Sequence, residues 1–169
     1  MRKSGLLARD WTVTIAIAEQ ERGRAAICAE VLDDLPEWFA IADSKAAYAS
    51  ACDAQPMFVA SIGDEHAGFV SLRDHNHYAC ELYVIGVKRR WRRHGVGRLL
   101  VDAAVRRAQR SGQRFLTVKT LAASHPDENY AETRRFYEAV GFLALEEFPT
   151  LWGAGTPCLM MIRPLGREF

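Results

Sequence analysis

The feature that most constrains this chain is a change of hydrophobic period in its middle. Residues 77–87 end in ELYVIGV, an apolar, β-branched run of strand type. KRRWRRHGVG follows. From Val96 onward, Val96, Leu99, Leu100, Ala103 and Ala104 recur at helical spacing, with Arg98, Asp102, Arg106 and Arg110 on the other side. Ser111-Gly112 stops that helix. A strand feeding a helix through a basic, glycine-containing turn places the chain among sheets with helices packed on their faces.

The flanking sequence extends the same alternation. Residues 12–18 (TVTIAIA) predict a strand, and 24–32 and 36–51 predict helices, the second started by Pro36. Strands at 57–62 and 67–72 are joined by Gly63-Asp64-Glu65-His66 as a hairpin, and 77–87 is their antiparallel neighbour. A strand at 115–121, a helix at 131–140 stopped by Gly141, and strands at 142–148 and 157–162 complete the order β-α-α-β-β-β-α-β-α-β-β. The 169 residues suit one domain spanning 1–169, with no internal repeat or linker.

The turn at 92–98 carries chemistry. Gly95 and Gly97 let backbone N–H groups converge without Cβ obstruction, and a helix N-terminus adds unpaired donors and partial positive charge. Arg92, Arg93 and Arg98 can neutralise a bound anion, so the segment forms a phosphate cradle. A tight turn with a solvated basic flank is the competing reading. The dinucleotide fingerprint G-x-G-x-x-G fails because position 100 is Leu, and a Walker A loop fails because no G-K-[ST] follows.

R-x-x-G-x-G after a strand ending in Val resembles the pyrophosphate loop of the GNAT superfamily of acyl-CoA-dependent N-acyltransferases. Here it is Arg92, Gly95 and Gly97. A second segment, TRRFYEAVGF from Thr133 to Phe142, is similar to the helix and strand that close the acyl-CoA cleft in that family. The resemblance covers roughly residues 57–163. It implies an α/β (α+β) fold with a mixed, largely antiparallel sheet of six to seven strands and about four helices. It also implies acetyl-CoA as cosubstrate, held by Ile85, Val87, Arg92, Arg93, His94, Gly95, Val96, Gly97 and Arg98. Many members carry an Asn seven positions before the tyrosine, where this chain has Tyr130, with Asn129 one residue earlier.

The reaction so implied is direct transfer of acetyl from a thioester to a primary amine. An amine of pKa ~10.4 must lose a proton before attack. Glu81, on the strand leading to the loop and matching where several members place a base, is the candidate acceptor of that proton; a salt-bridged, structural Glu is the other reading. Strand alternation puts it on one face with Tyr83, Ile85 and Val87. Backbone N–H groups near residues 85–87, where the strand splays at Gly86, are implied as oxyanion donors. Tyr137 is the implied general acid toward the CoA thiolate, or else a core aromatic beside Phe136.

Other features bound the partners. His75 and His77, beside Asp74, are two histidines at i,i+2 without a clear third and fourth ligand, so no metal is expected. The 125–128 segment borders the substrate entrance or caps the next helix. Trp38 and Phe39 either shape an acceptor pocket or fill the core, and Glu146 and Glu147, in the segment LEEFPTLWGAGTPCLMMI that carries a long loop between the last two strands, are candidates to attract a cationic amine. A net charge of +1 gives no global bias toward nucleic acid or anionic membrane. Four separated cysteines without a C-x-x-C pair suit a reduced, cytoplasmic protein, and the first residues lack a signal-peptide h-region. The acceptor is expected to be a small molecule or peptide amine, with a homodimer compatible with the resemblance. Alternatives are toxin-like acetylation of aminoacyl-tRNA, and a non-catalytic acyl-CoA or nucleic-acid-binding module using 88–93 as a phosphate patch.

Overall fold

The structure is a computed structural model and describes residues 13–166. Its elements are β1 (Ala16–Glu19), α1 (Arg24–Asp33), α2 (Ala42–Ala54), β2 (Met57–Ile62), β3 (Glu65–Asp74) and β4 (Ala79–Val87). After a 3₁₀ turn at Arg89–Trp91 come α3 (Val96–Arg110), β5 (Phe115–Leu121), α4 (Glu128–Ala139), β6 (Leu143–Phe148) and β7 (Cys158–Pro164). The strands form one sheet in the order β1-β2-β3-β4-β5-β7-β6. Among the described residues only β4 and β5 pair in parallel; a parallel pair needs a crossover, and α3 supplies it. The mixed, largely antiparallel sheet with four helices matches the expected fold class.

Three local readings change. Pro36 does not start a helix: Trp38 and Phe39 donate backbone bonds to the Leu35 carbonyl as turns, and α2 begins only at Ala42. Residues 34–41 are therefore largely loop, and Leu35, Trp38 and Phe39 from it line the cleft described below. The β2–β3 connection is also shorter than expected, because Ile62 pairs Glu65 and only Gly63-Asp64 turn the chain. Gly63 has φ 58°, a conformation that a two-residue hairpin loop favours. The predicted first strand begins later, at Ala16, and its residue 12 lies outside the described residues.

The sheet separates two apolar layers. On one face α3 and α4 bury Leu82, Leu100, Ala104, Leu116, Val118 and Phe142. On the other, α1 and the start of β2 bury Val31, Leu32, Met57, Val59, Phe69 and Val84. The amphipathic stripe of α3 explains its placement, since Leu100, Val101, Ala104 and Ala108 are all fully buried.

β4 is irregular where it matters. Ser71 pairs Val84 and Leu72 pairs Leu82, so Tyr83 is an extra residue in β4, a β-bulge. The bulge shifts the parity of the strand. Cys80, Leu82, Ile85 and Val87 pack toward the α3 layer, whereas Tyr83 and Val84 pack toward α1. A Cβ on Gly86 would lie 3.1 Å from Val31, on that same α1 face. Glu81, cross-strand from Arg73, belongs to the α1 side. The expectation from simple alternation that Glu81 shares a face with Ile85 and Val87 is therefore corrected.

Candidate active site

Immediately after the bulge the sheet opens. β4 pairs β5 only from Ala79 to Leu82, against Phe115 to Val118. Beyond that point β4 keeps only β3, and β5 keeps only β7. The wedge between them is a cleft of about 1070 Å³ that reaches both faces of the sheet. On the α3/α4 side it is lined by Ile85, Val87, Gly95, Gly97, Phe136 and Tyr137; on the α1/α2 side by Trp38, Tyr48, Arg73, Glu81, Tyr83 and Lys119.

The start of α3 forms one end. Gly95 is its N-cap with φ 84°, and Arg93, preceding it by two, also has positive φ at 64°. Two left-handed residues so close together curl the backbone and leave the first N–H groups of α3 without intrahelical acceptors. A Cβ on Gly97 would sit 3.0 Å from the Phe136 ring, so the glycine lets α3 and α4 meet at the cleft wall. Val96, almost fully buried, anchors the turn. Arg92, Arg93 and Arg98 all line the cleft. Arg92 lies 4.3 Å over the Trp38 ring, and Arg98 donates to the Ala139 carbonyl at 3.2 Å. His94 turns away from the cleft. Its Nδ1 lies 2.8 Å from the Arg92 carbonyl and its ring packs edge-on against Trp91.

Glu81 is 3% exposed and lies where β4 and β5 are about to part. Lys119 Nζ donates to its Oε1 at 2.7 Å, and His75 Nε2 stands 3.2 Å from its Oε2. The His75 contact is an ion-pair distance without hydrogen-bond alignment, because Oε2 has no hydrogen-bond partner. Both partners escaped sequence reasoning. Lys119 was signalled only as a lone cation inside the apolar strand FLTVKTL. The Asp74, His75, His77 group diverges: Asp74 binds Arg107 and Gln113, His75 faces Glu81, and His77 stacks on Tyr78.

Tyr137 packs in the opposite layer, with its ring 5.7 Å from Phe142 and 5.5 Å from Phe136. Burial pushes its phenol well above the ordinary tyrosine range. Tyr130 also lines the cleft, at the position where the resemblance expects Asn, and burial lifts its phenol to about 12. Asn129 does not line it. Thr120 of β5 was also missed. It is 2% exposed, lines the cleft, and its hydroxyl has no partner among the described residues.

The remaining candidates sort themselves. Asp127 caps α4 by accepting from the Tyr130 N–H at 3.1 Å, which is the capping reading of that segment. Trp38 and Phe39 line the cleft, and the Trp38 indole donates to Thr133 Oγ1 at 3.1 Å. From the loop after β6, Leu151 and Trp152 line the cleft; Glu146 and Glu147 do not, and Glu147 accepts from Ser124 instead.

The acetyltransferase (GNAT) family model matches residues 15–142, which include the loop, both strands of the wedge and α4. The chain belongs to the GNAT acetyltransferase family. The GNAT fold is equally clear among solved structures. A GNAT-family acetyltransferase structure from Desulfovibrio desulfuricans superposes with TM-score 0.79 at 21% identity, over 90% of this chain and 100% of that one. An aminoglycoside 6'-N-acetyltransferase complexed with coenzyme A gives 0.72 at 18%, over 91% and 99%. A GNAT acetyltransferase from Elizabethkingia anophelis with acetyl-CoA bound gives 0.69 at 16%, over 89% and 98%. No curated protein sequence matches the chain significantly. No helix among the described residues is long and apolar enough to cross a membrane.

Proposed function

We propose that the protein transfers acetyl from acetyl-CoA to a primary amine by direct attack. The observation that carries this reading is the wedge between β4 and β5, entered from the α3 N-terminus on one face and open to Glu81 on the other. In this account the N–H groups at residues 96–98, with Arg92, Arg93 and Arg98, hold the pyrophosphate. The His94 side chain is spectator to that contact, and only its backbone belongs to the loop. The pantetheine arm lies in the wedge between Ile85, Val87 and Thr120. The free β4 edge past Leu82 presents backbone donors to the thioester oxygen.

The amine enters from the α1/α2 side. Its proton passes to the Glu81 carboxylate, which Lys119 orients, and His75, 34% exposed, links that carboxylate to solvent. The nitrogen adds to the thioester carbon, the C–N bond forming as the carbonyl π bond opens to an oxyanion, and collapse of that tetrahedral intermediate restores the carbonyl and breaks the C–S bond. Tyr137, on the opposite face, gives its phenolic proton to the departing thiolate. With Glu81 on the amine's side of the wedge and Tyr137 on the other, proton removal from the nucleophile and proton delivery to the leaving group fall to separate side chains.

A nucleic-acid role for 88–93 has less support, because that basic run is engaged with acidic neighbours. Lys88 binds Glu30 and Glu65, Arg89 binds Asp34 and Glu37, and Arg90 binds Glu65. A cytoplasmic setting is part of the proposal, supported by four buried cysteines that are all free thiols. The test is thiol release from acetyl-CoA across a panel of amines. Y137F and E81Q are each expected to lower kcat about 10²- to 10⁴-fold with little change in acetyl-CoA affinity. Wild-type rates in both variants would remove the two residues from the mechanism.

A further inference from the structure

The acceptor half of the cleft holds an unusual pair of opposite charges. Arg73 of β3 and Glu81 of β4 are direct cross-strand partners on the same face, so their Cβ atoms are only ~5 Å apart. Such a pair ordinarily closes into an ion pair. Here it does not. Glu81 turns to Lys119 and His75. Arg73 lies flat on the Tyr83 ring, 3.8 Å from its centroid, and has no carboxylate partner among the described residues. Both line the cleft.

The charges around them balance unevenly. Lys119 and Glu81 neutralise one another, which leaves the Arg73 guanidinium as a planar, exposed donor array beside a buried carboxylate. Glu132 is the other carboxylate lining the cleft. A polycation, with several ammonium groups to satisfy, meets too few anions and a repelling arginine. A molecule carrying an amine and a carboxylate on the same carbon matches this arrangement, since a guanidinium fork suits a carboxylate and Glu81 Oε2 has no hydrogen-bond partner of its own.

The wall beside this pair is aromatic. Phe39, Tyr48 and Tyr83 stack edge-on in series, each step 5.6 Å between centroids. Trp38 and Trp152 also line the cleft. That surface favours an apolar or aromatic substituent over a hydrated one.

We propose that the acceptor is a zwitterionic amine, an α-amino acid with an apolar or aromatic side chain, its carboxylate held by Arg73 and its amino group delivered to Glu81. This rests on the transferase reading above and narrows it. The probes are L-phenylalanine, L-phenylalaninamide, phenethylamine, L-glutamate and kanamycin, each assayed for thiol release from acetyl-CoA by the intact protein. L-Phenylalanine is expected to exceed its amide and phenethylamine by about 10- to 100-fold in kcat/KM, the worth of a charged hydrogen-bonded contact. It should exceed L-glutamate and kanamycin as well. In R73Q the ratio of phenylalanine to phenylalaninamide should collapse to about one, with acetyl-CoA affinity reporting that the fold is intact.

Equal or faster turnover of phenethylamine or kanamycin would overturn the proposal, as would an R73Q variant that keeps the preference. Acetyl-CoA binding with no release to any probe would also overturn it, while leaving the donor site standing. Loss of acetyl-CoA binding itself would reject the transferase reading with it.

Discussion

Gly68→Ala tests the geometry that places the cleft. A Cβ at position 68 would lie 2.6 Å from the carbonyl oxygen of Gly86 and 3.2 Å from the Val87 Cα. Both obstacles are backbone, so no rotamer change relieves them. The two strands must separate by about 0.4–0.8 Å for the contact to reach the 3.0–3.4 Å seen in tight real contacts. Overpacking of this kind costs about 1–3 kcal/mol. Removing a glycine from a strand returns about 0.5–1 kcal/mol. The net loss of up to about 2.5 kcal/mol lowers Tm by up to about 10 °C in a domain of this size. The displaced segment is the free edge of β4 that the proposed mechanism sets against the thioester, so kcat/KM for acetyl-CoA should fall about 10-fold or more. Thermal melts and initial rates give both readouts. Gly166→Ala, where a Cβ meets nothing within 4 Å, is the control and should melt within about 1 °C of wild type. A Gly68→Ala protein that melts and turns over like wild type would refute the close β3–β4 approach.

Two further expectations follow from the site. Trp38→Ala removes the ring under Arg92 and the donor to Thr133; acetyl-CoA affinity measured by calorimetry should weaken about 2- to 5-fold, with Trp38→Phe retaining most of it. Alkaline stability should depend on the buried phenols. Tyr137 and Tyr130 have raised folded pKa values, while the unfolded phenol ionises near ~10. Their contribution is therefore complete below pH ~10 and is lost as pH rises through the folded values. Melting temperature should fall above pH ~10 in wild type and less steeply in Y137F; equal slopes would contradict the shift.

Much of this was legible in the sequence because the informative residues are local. The period change at Val96 and the glycines at 95 and 97 specify a strand, a left-handed turn and an amphipathic helix within twenty residues. The 57–62 and 115–121 strands coincide with those observed because short apolar runs bounded by turn residues leave little choice. What failed depends on distant pairing. The Tyr83 bulge arises from register with β3, and no periodicity within ELYVIGV signals it; it alone moved Ile85 and Val87 to the other face from Glu81. Lys119 reaches Glu81 only because β4 and β5 run parallel in register, with Glu81 opposite Thr117. Pro36 satisfied a helix-start rule, yet the chain turns there because Trp38 is drawn across to Thr133 and Arg92.

The central claim is that the wedge and the Arg92–Arg98 turn form an acetyl-CoA site. Calorimetric titration of acetyl-CoA into the intact protein tests it most directly. One site per chain is expected, with Kd between about 1 μM and 1 mM, the range in which enzymes commonly hold substrates. Substantially weaker binding is expected when Arg92 and Arg93 are both changed to Gln. Absence of binding up to millimolar acetyl-CoA, or an affinity indifferent to both arginines, would contradict it.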